Sequence, residues 1–124
     1  MVLTDLEYEG PTRGMDRAVL LAHGAGADMH EATLTSVAGA LADARVPTLR
    51  FNFPYRSAGR RGPDRPPVLE AAVREAAAEL SRRTKLPPER LVLGGRSMGG
   101  RICSMVAPAD GALGLVLLGY PLHP

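Results

Sequence analysis

Ser97 stands between glycines at the two positions where a strand-to-helix turn has least room. The stretch Leu91-Val92-Leu93-Gly94-Gly95-Arg96-Ser97-Met98-Gly99-Gly100-Arg101 runs from an apolar strand pattern into G-x-S-x-G, then into a helix-compatible segment. Side chains at 95 or 99 would collide with the neighbouring strand and helix. Glycine at both leaves the Ser97 hydroxyl above the end of a sheet, the geometry of a nucleophile elbow. A helix beginning near Met98 aims its free N-terminal amides at whatever Ser97 attacks. The chemistry this predicts is nucleophilic attack by a serine. The competing reading is a Gly/Ser-rich turn with no chemistry.

Such attack needs two amides directed at the oxyanion that develops. One belongs to the residue after the nucleophile, Met98. The other comes from a loop after an earlier strand. Ala18-Val19-Leu20-Leu21-Ala22 is a short apolar run ending in His23-Gly24-Ala25-Gly26. The glycines of this loop let its amides turn inward, so Ala25 is the expected second donor, with Gly24 next to it. A dinucleotide loop of the G-x-G-x-x-G type would require glycine at Met29, so that reading fails. Asp28 and Glu31 have the spacing of a capping box opening the next helix.

These residues need a frame. Glu31 to Arg45 reads as an amphipathic helix with Leu34, Val37, Ala38 and Leu41 on one face. Thr48 to Phe51 reads as a strand, followed by loop over Asn52 to Arg56 and an exposed Gly/Arg/Pro-rich stretch from Ser57 to Pro67. Pro66-Pro67 precede a helix from Val68 to about Arg83. Its apolar stripe is Leu69, Val73, Ala76 and Leu80, and Glu70/Arg74 and Glu79/Arg83 form i, i+4 pairs on the wet side. Arg90 to Leu93 is the next strand. The helix from Met98 is expected to end at Ala107 before Pro108, with Ile102, Met105 and Val106 inward. Leu113 to Leu118 is a last strand. Apolar strands alternating with helices predict an α/β fold, a three-layer sandwich with a mostly parallel sheet and helices on both faces. Residues at the C-terminal strand ends then face one crevice: His23, Phe53, Tyr55, Ser97, Tyr120 and His123. His23, Gly24, Tyr55, Tyr120 and His123 are the expected substrate-binding set.

Composition narrows the classes. The chain of 124 residues is one domain, 45% hydrophobic, with a formal net charge of +2. Lys85 is the only lysine among 15 basic residues, a skew suggesting a GC-rich genome more than a nucleic-acid surface. Arg56, Arg60, Arg61 and Arg65 sit on a Pro/Gly loop with Tyr55 as the sole aromatic neighbour, and a solvated loop explains them better than nucleic-acid binding. Cys103 is the only cysteine, so neither an intramolecular disulfide nor a cysteine metal site is available, and a buried small hydrophobe is its expected role. No apolar run approaches the ~20 residues of a membrane helix. The acidic N-terminus (Asp5, Glu7, Glu9) lacks a signal pattern, so a cytoplasmic setting is expected.

Together, His23-Gly24-Ala25-Gly26-Ala27-Asp28, Arg50-Phe51-Asn52-Phe53-Pro54-Tyr55, the Ser97 segment and Gly119-Tyr120-Pro121-Leu122-His123-Pro124 resemble the α/β-hydrolase superfamily. The likeness is to its dienelactone-hydrolase-like branch, which includes the testis-expressed and NSL-complex-subunit-like proteins. It covers nearly the whole chain. It implies a serine nucleophile at Ser97, an oxyanion hole from Ala25 and Met98, a small-molecule acyl substrate, and no cofactor or metal.

One departure matters. The family order is serine, then acid, then histidine, with the last two on later strand ends. Asp110 is the only acid after Ser97, and it is expected at the start of a strand on the opposite edge of the sheet. His123 lies on the correct edge but where relatives have ordinary loop, so lining the pocket is its expected role. His23 is expected to order the oxyanion loop and His30 to lie on the surface. The chain therefore reads as a single partial domain, residues 1–124, the N-terminal portion of a hydrolase truncated after the strand that follows the elbow. Hydrolysis of an ester, lactone or thioester, impaired in this chain, is the leading reading; a non-catalytic binding module of the same fold is the alternative. The apolar strand Leu113 to Leu118 is expected to present an open edge through which the chain self-associates.

Overall fold

The computed structural model describes residues 1–119. The apolar runs form strands, and the sheet they build is β1 (Leu6–Glu9), β2 (Ala18–Ala22), β3 (Thr48–Phe51), β4 (Leu91–Arg96) and β5 (Gly114–Leu118), in the spatial order β1-β3-β2-β4-β5. β2 is flanked by parallel β3 and β4, and all five of its residues are buried, as a strand covered on both faces requires. β5 continues the parallel set beside β4. The connections are helical: α1 (Ala32–Asp43), the single turn α2 (Pro54–Ser57), α3 (Pro66–Thr84) and α4 (Met98–Asp110).

Two cores hold the layers together. On one face Leu34 and Ala38 of α1 pack with Val19 and Leu21, with Val37 and Leu41 partly buried beside them. On the other, Leu69, Val73, Ala76 and Leu80 of α3 and Ile102, Cys103 and Val106 of α4 pack with Leu20, Leu49, Phe51 and Leu93. Full burial of each Leu, Ile, Val or Phe stabilises the fold by about 1.5–3 kcal/mol relative to exposure. The alternation of sheet faces along β2 is what assigns Leu20 and Leu21 to opposite cores.

Several local expectations change, among them the loop expected over Asn52 to Arg56, where Pro54–Ser57 form α2. β1 was not foreseen, because LEYE is half acidic. It pairs antiparallel with β3 in the register Glu7↔Arg50, and Glu7 and Glu9 both approach the Arg50 guanidinium. Met105 turns outward, 46% exposed, while Cys103 takes the inward position. Pro108 lies inside α4 rather than ending it; the helix loses one hydrogen bond there, continues to Asp110 and closes on Gly111 at φ 73°. Asp110 is consequently the last residue of a helix, not the first of a strand. Arg74 turns to Asp110 (3.4 Å) instead of its helical neighbour, whereas Glu79–Arg83 forms at 2.7 Å. Pro66 and Pro67 occupy the first turn of α3 instead of preceding it, where their missing N–H groups cost nothing.

β5 differs from the other strands in its exposure. Among the described residues it pairs with β4 alone, and Leu113, Leu115, Val116 and Leu117 are all exposed. No helix among the described residues is long and apolar enough to cross a membrane.

Candidate active site

Because β2, β3 and β4 are parallel, their C-terminal ends deliver His23, Phe53 and Ser97 to one edge of the sheet. Ser97 lies between β4 and α4 with φ 52° and ψ −115°, a positive-φ conformation that non-glycine residues rarely hold. Its amide donates to the Gly119 carbonyl at 2.6 Å and its carbonyl accepts from the Arg101 amide at 3.0 Å. The glycines explain how the turn closes. A Cβ on Gly95 would stand 2.6 Å from the Gly99 carbonyl carbon and 2.7 Å from the Ala22 carbonyl oxygen. One on Gly99 would meet the Ala22 carbonyl and, at 2.5 Å, the His23 carbonyl oxygen. Strand end and helix start thus touch backbone to backbone, with Ser97 forced outward and half-buried.

The upstream loop runs against this elbow. A Cβ on Gly24 would lie 3.4 Å from the Ser97 Cβ and 3.3 Å from the Arg96 carbonyl oxygen. Gly24 to Ala27 form a turn in which the Ala27 amide donates to the Gly24 carbonyl at 3.2 Å, with Gly26 at φ 77°. The turn's own hydrogen bond uses the Ala27 amide, so that of Ala25, an exposed residue, is left outside it. Met98 is the first residue of α4, and its amide is among those a helix leaves without an intrahelical acceptor. The capping box does not form. Glu31 itself is the N-cap of α1, with no side-chain cap bond, and Asp28 Oδ1 instead accepts from the His30 amide at 2.8 Å.

Two of the expected pocket residues sit beneath the loop. His23 is fully buried: its Nε2 accepts the Phe53 amide at 3.1 Å, and Nδ1 lies 2.8 Å from the Gly24 carbonyl. An amide can only donate, so the neutral tautomer carries its proton on Nδ1 and donates to Gly24. Burial holds the imidazole below its ordinary value, against the opposing pull of the Gly24 carbonyl and Asp28. Tyr55 is also fully buried, with its ring 6.1 Å from that of His23. Its hydroxyl, beside Gly26, has no hydrogen-bond partner among the described residues, and burial raises its pKa above the ordinary phenol value. Both side chains support the loop from below and present no surface to a ligand. Tyr120 and His123 lie outside the described residues.

Three further residues reach the site. Arg96 donates from Nη1 to Thr33 Oγ1 at 2.7 Å, tying the elbow to α1. Arg50 and Asn52 contact the backbone of Met29, at the far end of the loop after β2. Nothing in their spacing signalled this, since a side chain's reach across a parallel sheet depends on register. His30 is exposed at the start of α1. Asp110, at the far end of α4 from Ser97, is separated from it by the length of a 13-residue helix, roughly 20 Å. Cys103 is buried against the Gly94 carbonyl, and burial pushes its thiol up to about 12. A cavity of about 370 Å³ lined by Arg74, Ser81, Leu91 and Asp110 lies at the other end of β4 and touches none of the residues around Ser97. No cluster of three or more potential metal ligands occurs among the described residues.

Solved structures share this fold. An α/β serine hydrolase homologue from Coxiella burnetii superposes with a TM-score of 0.74 at 19% identity, over 90% of this chain and 56% of the other. An α/β serine hydrolase without a lid from Xanthomonas campestris gives 0.70 at 21% identity, over 91% and 54%. A cold-adapted esterase from an Arctic intertidal metagenomic library gives 0.69 at 19%, over 90% and 53%. The chain therefore spans about half the length of these proteins, and at such identities the likeness is one of fold. A comparison with curated proteins finds no match. The alpha/beta hydrolase domain family matches residues 15–124, from before β2 through the elbow and β5, and the chain belongs to that family.

Proposed function

We propose that the protein is a serine hydrolase acting on an ester, lactone or thioester, in the dienelactone-hydrolase-like branch with the testis-expressed and NSL-complex-subunit-like proteins. The observation that carries this reading is the Ser97 elbow, with its positive φ between glycines packed backbone to backbone. The Ser97 oxygen attacks the substrate carbonyl carbon while the amides of Ala25 and Met98 stabilise the oxyanion. Collapse breaks the bond to the leaving oxygen or sulfur and leaves an acyl ester on Ser97. Water then attacks that ester, releases the carboxylic acid and restores the hydroxyl. The Ser97 proton passes to a base and from it to the leaving group. Esterases among the similar folds support this choice of substrate class. Partners in this reading are a small-molecule acyl substrate at Ser97 and a second copy of the chain at the open edge of β5, in a cytoplasmic setting.

The proposal includes slow turnover by these 124 residues alone. His23, the histidine beside the elbow, is not free to accept the Ser97 proton: both of its nitrogens are engaged with Gly24 and Phe53, and its burial opposes protonation. A chain without its base keeps only the smaller enhancement from the oxyanion hole and binding. The same observation favours a second reading, a binding module that performs no catalysis.

A fluorophosphonate probe separates the two. Labelling at Ser97 that disappears in Ser97→Ala, together with faster labelling when a longer form of the protein is used, supports the hydrolase. Labelling at Ser104, whose hydroxyl is already donated to the Arg101 carbonyl at 2.6 Å, would defeat the elbow assignment. No labelling of either form favours the binding module.

A further inference from the structure

The oxyanion loop, residues 23–29, has no regular secondary structure of its own, yet a hole for an oxyanion must be held to within about half an ångström. What holds it comes from the end of a single strand. At the near end, the Phe53 amide donates to His23 Nε2, and the Phe53 ring packs edge-on against the imidazole with centroids 5.0 Å apart. At the far end, Met29 is gripped at both of its backbone groups: its amide donates to Asn52 Oδ1 at 2.8 Å, and its carbonyl accepts from Arg50 Nη1 at 2.6 Å. We propose that Arg50 and Asn52 are positioning residues that fix the Ala25 amide by clamping the Met29 peptide groups. The functional part of this inference rests on the hydrolase reading of Ser97.

The clamp is itself braced. Asn52 donates its amide to the Asp5 carbonyl at 3.1 Å, which fixes its backbone to the chain just before β1. The Arg50 guanidinium is buried, and an unpaired charge there would be costly. Glu7 and Glu9 of β1 supply the counter-charge, Glu7 in direct contact and Glu9 at 3.6 Å. This assigns a purpose to the acidic alternation of β1: its carboxylates hold the arginine that holds the loop. The side chains at 50 and 52 lie two residues apart on the extended β3 and its continuation, so both point to the same side. Met29, the last residue of the loop before the chain enters α1, lies on that side, and residues Gly24–Ala27 hang between two fixed ends.

Asn52→Ala removes one of the two grips without removing the buried charge. Two measurements on the full chain test it. Amide hydrogen exchange across residues 25–29 should quicken about tenfold, while amides of α3 keep their rates. The rate of fluorophosphonate labelling at Ser97 should fall by about tenfold or more, in line with the cost of ångström-scale misplacement. Asn52→Asp retains an acceptor for the Met29 amide and should restore both. Unchanged exchange at 25–29 in Asn52→Ala would overturn the clamp, as would exchange quickened equally throughout the sheet, which is the mark of a merely structural residue. If neither the unsubstituted chain nor a longer form is labelled, the Ser97 reading fails and exchange at 25–29 alone decides the clamp.

Discussion

The interior and the edge of the sheet's parallel set are built on opposite principles. Around β2 and β4 every backbone surface is used: Gly95 and Gly99 bring helix and strand together with no room for a methyl group, and the loop after β2 is pinned at both ends. At β5 the strand is as apolar as β2, GLVLL against AVLLA, but its side chains are exposed and one edge has no partner among the described residues. Similar strand chemistry thus gives a closely packed region in one place and an open surface in the other. What differs is the packing around the strand. Composition sets a strand's tendency to be buried; neighbours decide whether it is.

The sharpest way to break the braced interior is Gly99→Ala. The added methyl would collide with the carbonyls of Ala22 and His23, which are backbone atoms with no rotamer to escape into. A loss of about 3 kcal/mol or more is expected by urea denaturation, at the upper end for overpacking, together with loss of probe labelling. Gly111→Ala gives the contrast: nothing surrounds the position, and the φ of 73° alone should cost about 1 kcal/mol.

A smaller effect is expected from His23 and pH. Its folded value is depressed by burial, so the unfolded chain binds the proton more readily. The stability due to the neutral ring is fully present above the unfolded value of about 6.5. It is lost progressively as pH falls from there through the folded value. The imidazolium cannot accept the Phe53 amide, so labelling at Ser97 should weaken over the same window. Thermal melts between pH 7.5 and 5 should show the decline, and His23→Asn should flatten it. A wild-type profile that is already flat would contradict the buried neutral ring.

At β5 the smallest change to the fold is expected. Leu115 is 38% exposed, so Leu115→Lys should alter folding stability by about 0.5 kcal/mol or less. It should still reduce concentration-dependent association, since a lysine on an open edge opposes pairing with a second chain. Sedimentation velocity across a range of concentrations checks this. A wild-type chain that stays monomeric would remove the second copy from the proposal and leave the contrast between interior and edge one of exposure alone.

Much of the frame was legible from short-range pattern. The apolar runs at 18–22, 48–51 and 113–118, and the 3.6-residue stripes of α1 and α3, follow from what a strand or helix must bury, and neighbouring residues are enough to read them. The elbow was legible for the same reason, because G-x-S-x-G between strand and helix states its own steric requirement. β1 was hidden because Glu7 and Glu9 look like solvent-facing acids until Arg50 stands opposite them, a pairing set by antiparallel register. Asp28 with Glu31 matched a capping box, yet the helix begins three residues later and Glu31 itself takes the cap position. Met105 fitted the apolar face of α4 by spacing, but the described residues leave that flank uncovered.

The sequence by itself determined the parallel strand–helix alternation, the serine between its glycines and the glycine loop opposite it, because each is enforced by sterics within a few residues. Only the tertiary structure decided that Tyr55 supports the loop from within, that Arg50 and Asn52 grip Met29, and that Asp110 ends a helix instead of opening a strand. Those outcomes depend on register between strands far apart in the chain, where one residue's displacement would turn every side chain to the other face.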